Sequence, residues 1–335
     1  MNWINSFSAK PSHVHKLMLI SLIAVIVFST LFIPWVSNND AMDSCTIFSV
    51  SRDGRTFFCD NEDEGLRHGR IWFLPGIGNQ YGLVLFCYGI YRNVMIPVGG
   101  MNDQGLCLDG TIVPETQIRL DPNKPDYVGT FTLDMLRVCA TVEEARLWVR
   151  SNDLLMLHWQ QVHIADKTGD VVVVGLDNIG DLWLTNSSED YLISVPVNHA
   201  QNSHGFGDRY TTVEAMLNTM SELTLEGCRE ILRTVSVPET MFSYICDQQN
   251  GILYLYSRGD FDRVAILNVT AELEKGEHSY DIEKLISQQT GQSSSPDTLG
   301  TTTGIVMIGG IIIFSLVITI VKLRVKKNTN CLKKD

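Results

Sequence analysis

The chain has 335 residues, 44% of them hydrophobic and 19% charged, with a formal net charge of −12, a balance that excludes a disordered protein. Residues 45–300 carry 18 basic against 35 acidic side chains, which excludes nucleic acid as a partner because that binding rests on neutralising phosphates. The eight cysteines, at 45, 59, 87, 107, 139, 228, 246 and 331, show neither a disulfide-scaffold spacing nor a zinc pattern.

Leu17 to Val36 is an uncharged apolar run of 20 residues and Gly304 to Val321 one of 18. Each is about long enough to cross a bilayer. Lys10 and Lys16 precede the first run, and Lys322, Arg324, Lys326 and Lys327 follow the second. The positive-inside rule then puts both termini in the cytoplasm and the intervening domain on the extracytoplasmic side of a cell membrane. The first run also reads as a removed signal segment. The expected organisation is a tail, span or signal and propeptide over residues 1–44, a globular domain over 45–286, a flexible linker over 287–303, a transmembrane helix over 304–321 and a basic tail over 322–335.

Inside the domain, Thr46 to Ser51 alternates apolar and small polar residues and predicts a strand. Asp53-Gly54 predicts a tight hairpin turn. Arg55 to Cys59 is the returning strand, with Asn61-Glu62-Asp63 at its end, so the hairpin carries Cys45 to an amide and two carboxylates. Strands are expected at 70–75, 81–88, 93–98 and from Cys107, with a turn at Gly99 to Gly105. Residues 130–151 change to helical spacing, with a capping box at Thr141-Val-Glu-Glu. Strands follow at 159–165, 170–175, 182–184 and 191–197. Residues 209–235 read as two helices broken near Leu223-Thr224, and strands at 240–246, 251–256 and 263–269 close the domain. Strands arrive in hairpin-like clusters, which predicts an α+β fold of two packed antiparallel sheets with helices outside.

Cys45-Thr46 opening a strand, Asn61-Glu62-Asp63 and Gly100-Met101-Asn102-Asp103-Gln104-Gly105-Leu106 together resemble the N-terminal-nucleophile amide hydrolases. The nearest group in pattern is the linear-amide C–N hydrolases: penicillin V acylase, choloylglycine hydrolase and acid ceramidase. Val162 to Gly169, Val197-Asn198-His199 and Asp208-Arg209-Tyr210 extend the resemblance over about residues 45–286. It implies a four-layer αββα sandwich. It also implies an autocatalytic cut before Cys45, whose freed α-amine, with a pKa near ~7.7–8.0, serves as general base for its own thiol. Asp63 would hold the amine and thiol, Asn102 and Asn198 would donate to the oxyanion, and Arg209 would organise the charges. The implied substrate is a small N-acyl amide, cut through an acyl-enzyme with no cofactor and no metal. An acyltransferase, a dipeptidase and a catalytically silent binding ectodomain remain as alternatives, and self-association stays open. The histidines at 158, 163, 199 and 204 match no common metal spacing. Asp60 stands where many relatives carry an arginine, and an acid there is expected to raise the thiol's pKa.

Overall fold

The computed structural model describes residues 45–291, apart from 66–67, 92–93, 122, 125–126, 188 and 202–204. Both long apolar runs lie outside these residues. Among the described residues, no helix is long and apolar enough to cross a membrane.

The strands are β1 (Thr46–Arg52), β2 (Arg55–Asp63), β3 (His68–Leu74), β4 (Leu83–Tyr91), β5 (Val94–Asn102), β6 (Cys107–Ile112), β7 (Gln160–Ala165), β8 (Val171–Leu176), β9 (Leu182–Asn186), β10 (Tyr191–Ser194), β11 (Thr240–Asp247), β12 (Ile252–Ser257), β13 (Asp260–Asn268) and β14 (His278–Asp281). The helices are α1 (Phe131–Val138), α2 (Val142–Arg150), α3 (Gly207–Thr219), α4 (Leu225–Val235), α5 (Val269–Leu273) and α6 (Ile282–Gln289), with a 3-10 turn at Leu155–His158. Six strands form one sheet in the order β10-β1-β2-β11-β12-β13, and eight form the other in the order β14-β3-β4-β5-β6-β7-β8-β9. Neighbouring strands are antiparallel, joined by a tight hairpin in β1 against β2 and by long intervening segments in β2 against β11 and β6 against β7.

Three apolar layers hold these elements together. Ile47 and Phe58 of the smaller sheet meet Phe73, Phe86 and Val173 of the larger one. On the outer face of the larger sheet, Leu85, Leu108 and Val172 pack against Met135 and Leu136 of α1 and Ala145 and Val149 of α2. On the outer face of the smaller sheet, Phe48, Phe57 and Ile245 pack against Val213 and Leu217 of α3 and Ile231 and Leu232 of α4. The layers run helix, sheet, sheet, helix, and each fully buried leucine or phenylalanine contributes about 1.5–3 kcal/mol relative to exposure. Local signals agree with this packing. Thr141 Oγ1 accepts from the Glu144 N–H at the head of α2, and Thr224 Oγ1 from the Gly227 N–H at the head of α4; such caps are worth about 1 kcal/mol each.

The structure departs from the sequence expectation in three places. β2 does not stop at Cys59 but runs through the acidic stretch to Asp63, because β1 and β11 pair with it on both sides and take up its backbone groups. β5 likewise continues through Gly99 and Gly100 to Asn102. Finally, α5, β14 and α6 occupy residues 269–289, a stretch partly read as linker. Ile282, Leu285 and Ile286 recur at helical spacing and seal the end of the inter-sheet core, so residues 287–289 are the last turn of a helix.

Candidate active site

Asp53 and Gly54 have φ of 51° and 75°, as a two-residue hairpin turn requires. This turn sets the register Thr46 to Asn61 and Ile47 to Asp60, and places Cys45, one residue ahead of β1, against Glu62. The thiol donates to Glu62 Oε2 at 3.1 Å. Side chains alternate along each strand, so Cys45 and Ile47 share a face with Phe58, Asp60 and Glu62. That face is the inter-sheet layer, to which Cys45, Ile47 and Phe58 belong. Thr46, Asn61 and Asp63 point the other way, toward the helices.

Two further polar side chains enter the same layer. Asp109 comes across from β6, and its Oδ2 accepts a short hydrogen bond from the hydroxyl of Tyr244, the β11 residue paired with Asp60. A Cβ on Gly99 would lie 1.8 Å from Asp109 Oδ2, so glycine at that position is what admits the carboxylate. Asp60, Glu62 and Asp109 are fully buried, and burial together with their mutual repulsion raises the pKa of Asp60 and Glu62 well above the carboxylate range. Asp109, buried but bonded by Tyr244, Glu62 and the Gly110 N–H, is pushed up to about 6. Burial raises the Cys45 thiol, and the charges of Glu62, Asp60, Asp109 and Asp63 add to it. The expectation for Asp60 is met, with burial and Glu62 contributing more. One ligand atom from each of Cys45, Asp60 and Glu62 lies within 4.8 Å of the other two.

On the helix face of the same hairpin, Arg209 Nη1 donates to Asp63 Oδ2 at 2.8 Å and to Thr46 Oγ1 at 3.3 Å. The hydroxyl of Thr240 donates to Asp63 Oδ1 at 2.6 Å. The structure thus brings Arg209 and Asp63 together beside the backbone that follows Cys45. Asp63 does not hold the thiol: alternation turns it to the opposite face, and the thiol rests on Glu62.

The expectation for Asn102 is corrected. Met101 faces the inter-sheet layer, so Asn102 faces the helices. Its amide donates to the carbonyls of Leu136 and Cys139 at 2.9 and 2.7 Å, and its oxygen accepts from the N–H groups of Gln104 and Leu106. Every hydrogen-bonding position of the side chain closes the β5–β6 turn onto the end of α1, so it has no donor left for an oxyanion. Asn198 donates to Leu176 O at 3.1 Å and accepts from the Ala200 N–H at 2.9 Å. Those bonds fold the loop after β10 onto the end of β8.

Sequence reasoning missed Glu62 as the thiol's partner, missed Asp109 and Tyr244, and weighed His163 only as a metal ligand. His163 is fully buried on β7, with Nε2 2.9 Å from Ser49 Oγ and Nδ1 2.9 Å from Ser194 Oγ. Burial lowers its pKa to about 3, so the ring is neutral. Ser49 follows Cys45 by four residues on the same face, roughly 13 Å along the strand. The signal available in sequence was inward parity on strands bearing polar residues, as in Cys107-Leu-Asp109 and Gln161-Val-His163.

No protein-family model matches the chain, and no curated protein matches it. Solved structures do. A variant of conjugated bile acid hydrolase from Clostridium perfringens aligns with a TM-score of 0.53 at 16% identity, covering 70% of this chain and 96% of that one. A second variant of that hydrolase gives 0.54 at 16% identity, over 78% and 100%. Penicillin V acylase from Agrobacterium tumefaciens gives 0.47 at 14% identity, over 71% and 91%. The chain has the α+β fold of the conjugated bile acid hydrolase, with a cysteine at the head of the first described strand.

Proposed function

We propose that the domain hydrolyses linear, non-peptide C–N amide bonds, with Cys45 as nucleophile once the chain is cut between Ser44 and Cys45. The observation that carries the reading is the position of Cys45 in this fold. It stands at the head of β1, its thiol on the carboxylate of Glu62, while on the other face Arg209 links the hydroxyl of the adjoining Thr46 to the carboxylate of Asp63. The α-amine released by the cut takes the thiol proton, and sulfur adds to the amide carbonyl. The C–N bond breaks as the leaving amine takes that proton, and water hydrolyses the thioester to a carboxylic acid. The substrate class is a small N-acyl amide. Asn198 remains the side-chain candidate for oxyanion donor, since its amide has a second N–H beside the one given to Leu176. In this reading the 304–321 span tethers the domain outside the cell membrane, and the 17–36 run delivers it and is lost with the cut.

A second reading, a binding domain without turnover, is favoured by one observation: acidic groups surround the thiol and raise its pKa. N-terminal sequencing of the purified protein together with assay of a Cys45→Ser variant separates the two. A chain beginning at Cys45, and loss of N-acyl amide hydrolysis in the variant, support the hydrolase. A chain that never begins at Cys45 removes the amine-base mechanism. In the same assay Asn102→Ala lowers stability and leaves the rate per folded molecule unchanged.

A further inference from the structure

The inner ends of β1 and β2 bring together three potential ligands of unlike softness, the thiol of Cys45 and the carboxyl groups of Asp60 and Glu62. All three side chains are buried, and their ligand atoms lie within 4.8 Å of one another. Both carboxylate oxygens of Asp60, and Oε1 of Glu62, are buried with no hydrogen-bond partner other than a neighbouring carboxyl group. The groups facing them are other carboxyls, Asp60 against Glu62 and Glu62 against Asp109, and a carboxyl group donates only when protonated. A buried acceptor without a donor costs about 1–3 kcal/mol, and here several are aimed at one point.

We propose that Cys45, Asp60 and Glu62 bind a single divalent cation of the zinc class. A thiolate with two carboxylates offers three negative charges to a 2+ ion in a site that burial otherwise penalises. The sulfur donor selects zinc or a similarly soft ion over magnesium and calcium, which take oxygen ligands. Ligand atoms around a tetrahedral zinc stand ~3.5 Å apart, from Zn–S and Zn–O bonds of about 2.3 and 2.0 Å. The Cys45 Sγ to Glu62 Oε2 separation of 3.1 Å is already of that order, and the ligand oxygen of Asp60 lies within 4.8 Å of both. Asp109, anchored by Tyr244 and the Gly110 N–H, sits behind Glu62 as the outer partner that orients a metal-binding carboxylate. The fourth position is left for water. Binding stands independently of the hydrolase reading. Its consequence rests on that reading: a zinc-bound thiolate cannot attack a carbonyl, so the ion holds the enzyme silent until it is removed.

The test is a titration of the full-length chain, stripped with a chelator, with zinc chloride against a chromophoric competitor. One zinc binds per chain, and Cys45→Ser and Asp60→Asn each weaken it by more than ~100-fold, while Asp109→Asn, lacking only the outer partner, weakens it about 10–100-fold. Glu115→Gln, a carboxylate elsewhere, leaves the affinity unchanged. Cobalt chloride gives a thiolate-to-cobalt charge-transfer band that Cys45→Ser lacks; since serine is nearly isosteric, this readout survives if the other variants unfold. Absence of stoichiometric zinc, or equal affinity in Cys45→Ser and the parent, overturns the site. N-acyl amide hydrolysis assayed in chelator is read separately: no hydrolysis with intact zinc binding overturns the hydrolase reading alone, and hydrolysis without zinc binding overturns the metal site alone.

Discussion

Two polar islands interrupt the apolar layer between the sheets, both reached from β1, and they differ in how far they satisfy themselves. Around His163, each ring nitrogen meets a serine hydroxyl at 2.9 Å, and Phe58 packs edge-on at 5.4 Å. The ring is neutral and its polar atoms are matched, so this island closes on itself. Around Cys45, three carboxyl groups and a thiol gather with Tyr244 as the hydroxyl donor, and the oxygens of Asp60 meet no donor except a neighbouring carboxyl group. Burial is equal in the two places. Completeness of hydrogen bonding is not, and an incomplete buried set is the one that calls for a cation or a catalytic proton.

Each way of testing the contrast has an expected size. His163→Leu strands the hydroxyls of Ser49 and Ser194 in an apolar layer. It should cost about 4 kcal/mol in chemical denaturation, and a loss under ~1 kcal/mol would break the comparison. Next is pH dependence. Asp109 is raised from 3.8 to about 6, so its contribution is full below pH ~4 and is lost as pH rises through about 6, an effect of about 3 kcal/mol. His163 has the opposite sign: lowered from 6.5 to about 3, its contribution is full above pH ~6.5 and falls as pH drops toward about 3. Melting curves of Asp109→Asn should lose the first slope and keep the second. Asp60→Asn removes an unmatched buried acid. In metal-free protein it should gain about 2 kcal/mol near pH 8 and little near pH 4, and a loss at both pH values would show that the carboxyl is satisfied. The smallest effect is expected outside both islands: Thr240→Val removes one hydroxyl from Asp63 and should cost about 1 kcal/mol, read as a shift in denaturation midpoint.

Most strands and the first four helices were legible in the chain because their signals are local. Asp53-Gly54 makes a hairpin, Thr141 and Thr224 cap helices, and β-branched and aromatic residues fill the strands. The hairpin also carried Cys45 to the acidic end of the returning strand, while the pairing of the thiol with Glu62 in particular follows from the register seen in the structure. The acidic end of β2 was not legible. Asp60-Asn61-Glu62-Asp63 reads locally as a loop, and only pairing with β1 on one side and β11 on the other holds it in a sheet. Asn102 misled for a related reason: Gly-Met-Asn-Asp marks a turn correctly, but the face on which its amide falls depends on strand parity and on where α1 ends.

The sequence by itself determined the α+β class, the sandwich of antiparallel sheets and the place of Cys45 at its opening strand, because these follow from short-range pattern and turn chemistry. Tertiary structure decided which polar residues share the thiol's surroundings. Asp109 and Tyr244 arrive from strands 64 and 199 residues farther along the chain than Cys45, and Gly99 makes the space for one of them. Contacts across a sheet-to-sheet interface depend on how two independently patterned faces are stacked, and no local periodicity encodes that.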